Sequence, residues 1–168
     1  MCKQLANHYN TLWVPEFARE YLEKHGTDYT YEDLLTIAKG QIDLEEQYMD
    51  LEIENRKPEI RNELNSLLFI DTDMYVMKVW CEFAFNKCSN WILNQIATRK
   101  YDMYLLCSVD LPWIKDELRE YPEPETRNKL YHYYKDLMIN QSTPWIDISG
   151  DYEQRLQKAI RGVDTLLT

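Results

Sequence analysis

The 168 residues are enough for one domain that buries its own core and too few for two. Apolar residues at 45% and charged residues at 29% exclude a disordered or membrane-embedded class. The net charge of −10 excludes a general nucleic-acid binder, since no Lys/Arg surplus exists to neutralise a phosphate backbone.

In chain order, Cys2 to Tyr9 reads as a helix running directly into an apolar run, Leu12 to Val14, with no capping residue ahead of it. The expectation is therefore a chain that begins inside an element. Apolar residues at helical spacing fill Leu34 to Leu51, opened by Thr30 with Asp33 three residues on, a capping-box pattern. Leu67 to Ile70, Met103 to Cys107 and Trp145 to Ile148 join Leu12 to Val14 as short runs with strand character. Helices are expected at Met74 to Phe85, Asn90 to Thr98, Glu125 to Met138 and Asp151 to Leu167, the last opened by Ser149-Gly150. Strands separated by helices of this length need crossover connections, which predicts an α/β domain with a parallel sheet and helices on its faces.

Four cysteines (Cys2, Cys81, Cys88, Cys107) show no C-x-x-C pair, so neither zinc nor a disulfide framework is expected, and a reducing cytoplasm fits. No apolar run approaches the roughly 20 residues of a membrane span. No membrane or nucleic-acid partner is expected.

Ligands of open parallel sheets bind at the carboxyl ends of the strands. The first run leads to Pro15-Glu16 and Arg19, the second to Asp71-Thr72-Asp73, and the third to Asp110-Leu111-Pro112-Trp113. Leu67 to Asp71 has the form of a Walker B strand, whose terminal carboxylate binds the magnesium of a nucleoside triphosphate, usually through water. An apolar strand followed by an Asp turn reads the same way. Arg19, Arg119 and Arg127 are candidate phosphate clamps, and each has acidic neighbours that would pair it on a solvated helix face. Tyr131, His132, Tyr133 and Tyr134 could stack on a base; packing against the sheet is the ordinary role of such a row. The loop that accompanies a Walker B strand, G-x-x-x-x-G-K-[ST], is absent from these residues, which hold only Gly26, Gly40, Gly150 and Gly162.

Leu12 to Leu22, Phe69 to Asp73, Asp110-Leu111-Pro112-Trp113 with Asp116 and Arg119, and Ile148-Ser149-Gly150 with Tyr152-Glu153 and Arg155 resemble the NadR-like ribosylnicotinamide kinases. The resemblance covers nearly the whole chain. It implies a P-loop NTPase-like three-layer sandwich over residues 1–168, with a lid at about 111–128. It also implies a kinase that uses ATP and Mg2+ to phosphorylate nicotinamide riboside. Residue by residue, it implies that Asp71 helps hold magnesium and that Glu16 and Asp73 line the acceptor pocket with Arg19 and Trp113. Arg119 and Arg127 would sit in the lid over the phosphates, and Ser149 and Gly150 would lie near adenine. Family members place a strand and the Gly-rich loop before the helix at Cys2, so an N-terminally truncated and inactive chain is expected. A nucleotide- or nucleoside-binding regulatory remnant and a kinase for another nucleoside are the competing expectations.

Overall fold

The computed structural model describes residues 1–54, 67–115, 117–118 and 120–168. The chain divides into two compact units, Met1–Asp73 and Met74–Thr168.

The first unit runs α1 (Cys2–Tyr9), β1 (Leu12–Val14), α2 (Phe17–His25), α3 (Tyr31–Glu54) and β2 (Leu68–Ile70). β1 and β2 pair in parallel, Leu12 opposite Leu68 and Val14 opposite Ile70, as the alternation of strands and helices predicts. The Asp71 amide extends the ladder by donating to the Val14 carbonyl at 3.0 Å. α1 packs on both strands, and α3 packs on α2 and both strands. The buried face of α3 follows helical periodicity through Leu34, Ile37, Ala38, Gln41, Ile42 and Glu45. Gln41 is nearly fully buried, and a buried amide must find partners. Its Oε1 accepts the Phe17 amide at 2.8 Å and its Nε2 donates to the Pro15 carbonyl at 3.4 Å, which ties the β1–α2 turn to α3. The capping box forms as expected: the Asp33 amide donates to Thr30 Oγ1 at 3.3 Å and the Thr30 amide to Asp33 Oδ2 at 2.8 Å. α2 has no counterpart among the sequence expectations. Its nine residues bury only Ala18 and Leu22, so its amphipathic signal is thin.

The second unit runs α4 (Met74–Phe85), α5 (Asn90–Thr98), β3 (Tyr104–Cys107), α6 (Pro124–Ile139), β4 (Trp145–Ile148) and α7 (Tyr152–Leu167). β3 and β4 are parallel, with Tyr104 opposite Trp145 and Cys107 opposite Ile148. Met74, Met77, Val79, Cys81, Ile92, Met138 and Ile148 are core residues, joined by Ala159, Ile160 and Val163 of α7. α7 starts at a complete capping box between Asp151 and Gln154. Among the described residues no helix is long and apolar enough to cross a membrane.

Candidate functional site

At the carboxyl end of the first unit's strands, the chain leaves β1 through Pro15 and Glu16, and Glu16 is the residue ahead of α2. Arg19 lies one turn along α2. Its Nη1 is 3.9 Å from Glu23 Oε1, a long and exposed pair worth little. β2 ends in Asp71, Thr72 and Asp73. Thr72 has φ 78, in the left-handed region that a β-branched residue avoids. Holding it there costs on the order of 1–3 kcal/mol, a kind of strain that concentrates at functional turns.

Asp71 is open to solvent by area, and yet the protein around it strips enough hydration from its carboxyl to push the pKa up. The positive charges of the Met1 amino group and Arg19 pull the other way. The exposed area is the better measure of an ion's access, so Asp71 is a partly desolvated carboxylate within reach of a cation. Among the described residues no group of three or more His, Cys, Asp or Glu side chains converges as a metal site. A single carboxylate fits Mg2+, which keeps most of its water and takes its other ligands from substrate phosphates.

The second unit presents a different arrangement at its strand ends. Arg155 of α7 is buried, at 5% side-chain exposure, and pairs with Asp110, whose side chain is 42% exposed. Its Nε donates to the Gly150 carbonyl at 2.8 Å and its Nη2 to the Ser108 carbonyl at 2.9 Å. The Gly150 amide donates to Asp110 Oδ2 at 2.7 Å. That amide, with the Arg155 charge adding to it, holds the Asp110 carboxyl below the usual carboxylate range. Ser149 Oγ lies 3.2 Å from Lys158 Nζ. Gly150 has φ 104, and a Cβ there would meet Gln154 Oε1 at 2.5 Å, so this position requires glycine.

Arg127 stands near the start of α6, with Nη2 donating to the carbonyls of Val109 and Leu111 at 3.2 and 3.1 Å. Trp113 is half-buried, and its indole Nε1 is occluded with no hydrogen-bond partner among the described residues. Arg119 and Asp116 lie outside the described residues.

Of the residues picked out in the sequence, Glu16, Arg19, Asp71 and Asp73 fall in the first unit, and Trp113, Arg127, Ser149 and Gly150 in the second. In the aromatic row on α6, Tyr131 is engaged within the fold. Tyr131 donates to Asp147 Oδ2 at 2.5 Å, and Lys135 reaches the same oxygen at 3.0 Å. Asp147 itself was not singled out, although an acid inside the apolar run Trp145–Ile148 is a visible signal.

Residues 1–155 match the AAA domain family. The chain is 23% identical over 172 aligned positions to the trifunctional NAD biosynthesis/regulator protein NadR of Escherichia coli (strain K12), covering 99% of the chain and 39% of that protein. The NadR of Salmonella typhimurium (strain LT2) matches at the same identity and coverage. The chain thus spans about two fifths of the length of these curated relatives. A crystal structure of a NadR protein in complex with NR superposes with TM-score 0.76 at 20% identity, over 99% of this chain and 45% of that one. A second NadR structure, in complex with NAD and AMP-PNP, gives TM-score 0.72 at 18% identity with the same coverage. The fold is accordingly α/β of the NadR type, with short parallel strand pairs flanked by helices. With the family matched along nearly its whole length, the chain belongs to the AAA domain family and is a NadR-like member of it.

Proposed function

We propose that the chain carries the acceptor, magnesium and lid residues of a cytoplasmic kinase that phosphorylates nicotinamide riboside to nicotinamide mononucleotide with ATP. The observation that carries this reading is the end of β2, where Asp71 and Asp73 flank a strained Thr72 and Asp71 keeps a partly desolvated carboxylate facing solvent. The likeness to NadR structures complexed with NR and with AMP-PNP supports it.

In this reading Asp71 would hold Mg2+, which when bound would supply positive charge to offset that of the phosphates. Glu16 and Asp73 accept hydrogen bonds from the ribose hydroxyls, Arg19 donates to their oxygens, and one carboxylate takes the proton of the attacking hydroxyl. Trp113, whose N–H is occluded, offers only its indole face to a nucleoside. In the second unit Ser149 and Gly150 meet the nucleotide, while Arg119 and Arg127 meet its phosphates. Phosphoryl transfer asks mainly for placement and charge balance, which acids and arginines supply.

A second reading, a nucleoside- or nucleotide-binding regulatory element without transfer activity, is favoured by one observation: the relatives are described as NAD biosynthesis/regulator proteins. Calorimetric titration with nicotinamide riboside, uridine and thymidine, followed by a turnover assay with MgATP, tests both. Nicotinamide riboside should bind about tenfold or more tighter than the other two, because carboxylates favour its cationic ring. Equal affinity for all three sinks the substrate assignment. Binding without turnover favours the regulatory reading, whereas turnover lost in Asp71→Ala decides for the kinase.

A further inference from the structure

The amino end of α2 departs from the usual way of starting a helix. The first amides of a helix have no partner within it, and a short Ser, Thr, Asp or Asn just ahead ordinarily accepts from them. Glu16 stands in that place, at φ −69 and ψ 110, and its side chain makes no cap hydrogen bond. The acceptor comes instead from α3, 24 residues away, where Gln41 Oε1 accepts the Phe17 amide at 2.8 Å. The same side chain donates through Nε2 to the Pro15 carbonyl at 3.4 Å. One amide group thus bonds the residue before Glu16 and the residue after it.

Gln41 is itself held fast. It is 1% exposed, and Ile37, Ala38 and Ile42 beside it on α3 are buried as well. Gly40 completes the seat, because a Cβ there would lie 2.2 Å from the Phe17 ring. A buried amide on a packed helix therefore fixes the backbone on both sides of Glu16, and the carboxylate has only its own rotamers left to settle.

We propose that Gln41 is a positioning residue: it supplies the cap that Glu16 does not, holds Pro15 and Phe17 in place, and so sets where the Glu16 carboxylate meets the acceptor. Gly40 belongs to the same device, since any side chain there would displace Phe17. The acceptor half of the proposal rests on the kinase reading given above, in which Glu16 faces the ribose hydroxyls. The tie between α3 and the turn rests on the hydrogen bonds alone.

Gln41→Met, of similar length but without either hydrogen bond, tests it in the full chain. Gly40→Ala disturbs the same seat and keeps the buried amide, so the test stands even where Gln41→Met does not fold. Leu34→Val, a core truncation two turns earlier on α3, controls for lost stability. Without ligand, amide hydrogen exchange of Phe17, followed by NMR, should speed up about tenfold in Gln41→Met relative to that of Asp71, whose amide belongs to the β1–β2 ladder. The ratio should stay near native in Leu34→Val, and an unchanged ratio in Gln41→Met overturns the tie. By calorimetry, affinity for nicotinamide riboside should fall about tenfold in Gln41→Met and in Gly40→Ala, and stay within about twofold of native in Leu34→Val. Added to Glu16→Ala, either of the first two should change affinity by no more than about twofold, since a residue that acts through Glu16 then has nothing left to position. Losses that add in the double variants show a merely structural role and overturn the proposal, as does a Glu16→Ala chain that binds like the native one. A native chain that does not bind nicotinamide riboside overturns the acceptor reading, and the exchange ratio then still decides whether Gln41 holds the turn.

Discussion

Asp71 in the first unit and Asp110 in the second both follow an apolar parallel strand, and both are open to solvent. Their surroundings push them in opposite directions. Desolvation raises the Asp71 carboxyl, against the pull of charges that act across space. Directly bonded donors, the Gly150 amide foremost, hold the Asp110 carboxyl down. A carboxylate without bonded compensation is available for an incoming cation, whereas one satisfied by an amide and a buried guanidinium has become part of the scaffold. Strand-end position alone therefore does not say which acid works on a ligand.

The sharpest way to break this contrast is to remove each charge in turn and titrate Mn2+, in place of Mg2+, in the presence of ADP. Asp71→Asn should weaken Mn2+ binding about 100-fold, the upper end of the loss when a carboxylate that orders a metal's shell is removed. Asp110→Asn should leave it within about twofold. Equal losses in the two variants would erase the distinction between them.

The same contrast explains how much of the chain was legible in its sequence. Strand runs such as Leu12 to Val14 and Trp145 to Ile148, and the helix Met74 to Phe85, follow from local periodicity and occur where expected. The Thr30–Asp33 box is likewise local, set by a three-residue spacing. Pairing of Asp110 with Arg155 spans 45 residues and leaves no trace in spacing, although both residues lie in segments that carry the family resemblance. The positive φ of Thr72 is invisible for another reason, since nothing in a Thr codes for a conformation that its surroundings impose. Arg127 stood out as a charge, but its carbonyl partners depend on where α6 begins relative to the end of β3.

A next-largest effect compares one helix glycine from each unit. A Cβ on Gly40 of α3 would lie 2.2 Å from the Phe17 ring, whose residue is also fixed through its amide to Gln41. A Cβ on Gly162 of α7 would lie 2.0 Å from the terminal methyl of Ile146, the free end of a flexible chain. Gly40→Ala should cost about 2 kcal/mol by overpacking, less whatever Ala gains in helix propensity. Gly162→Ala should come within about 1 kcal/mol of neutral, because Ile146 can rotate and Ala favours the helix. Urea midpoints measure both, and a larger loss at Gly162 would mean that the β4–α7 contact is the more rigid of the two.

The smallest effect is a pH dependence confined to the first unit. Asp33 is held at about 2, below its ordinary 3.8, first by the Tyr21 hydroxyl at 2.5 Å and then by the Thr30 amide and hydroxyl. A folded pKa below the unfolded one means that the contribution to stability is complete above about 3.8 and is lost as the pH falls toward 2. Tyr21→Phe removes the largest cause of the shift, so its urea midpoint should lie below native at neutral pH and converge on native as the pH approaches 2. An offset that stays constant across that window would assign the Tyr21 hydroxyl to packing and leave Asp33 held by its own helix cap alone.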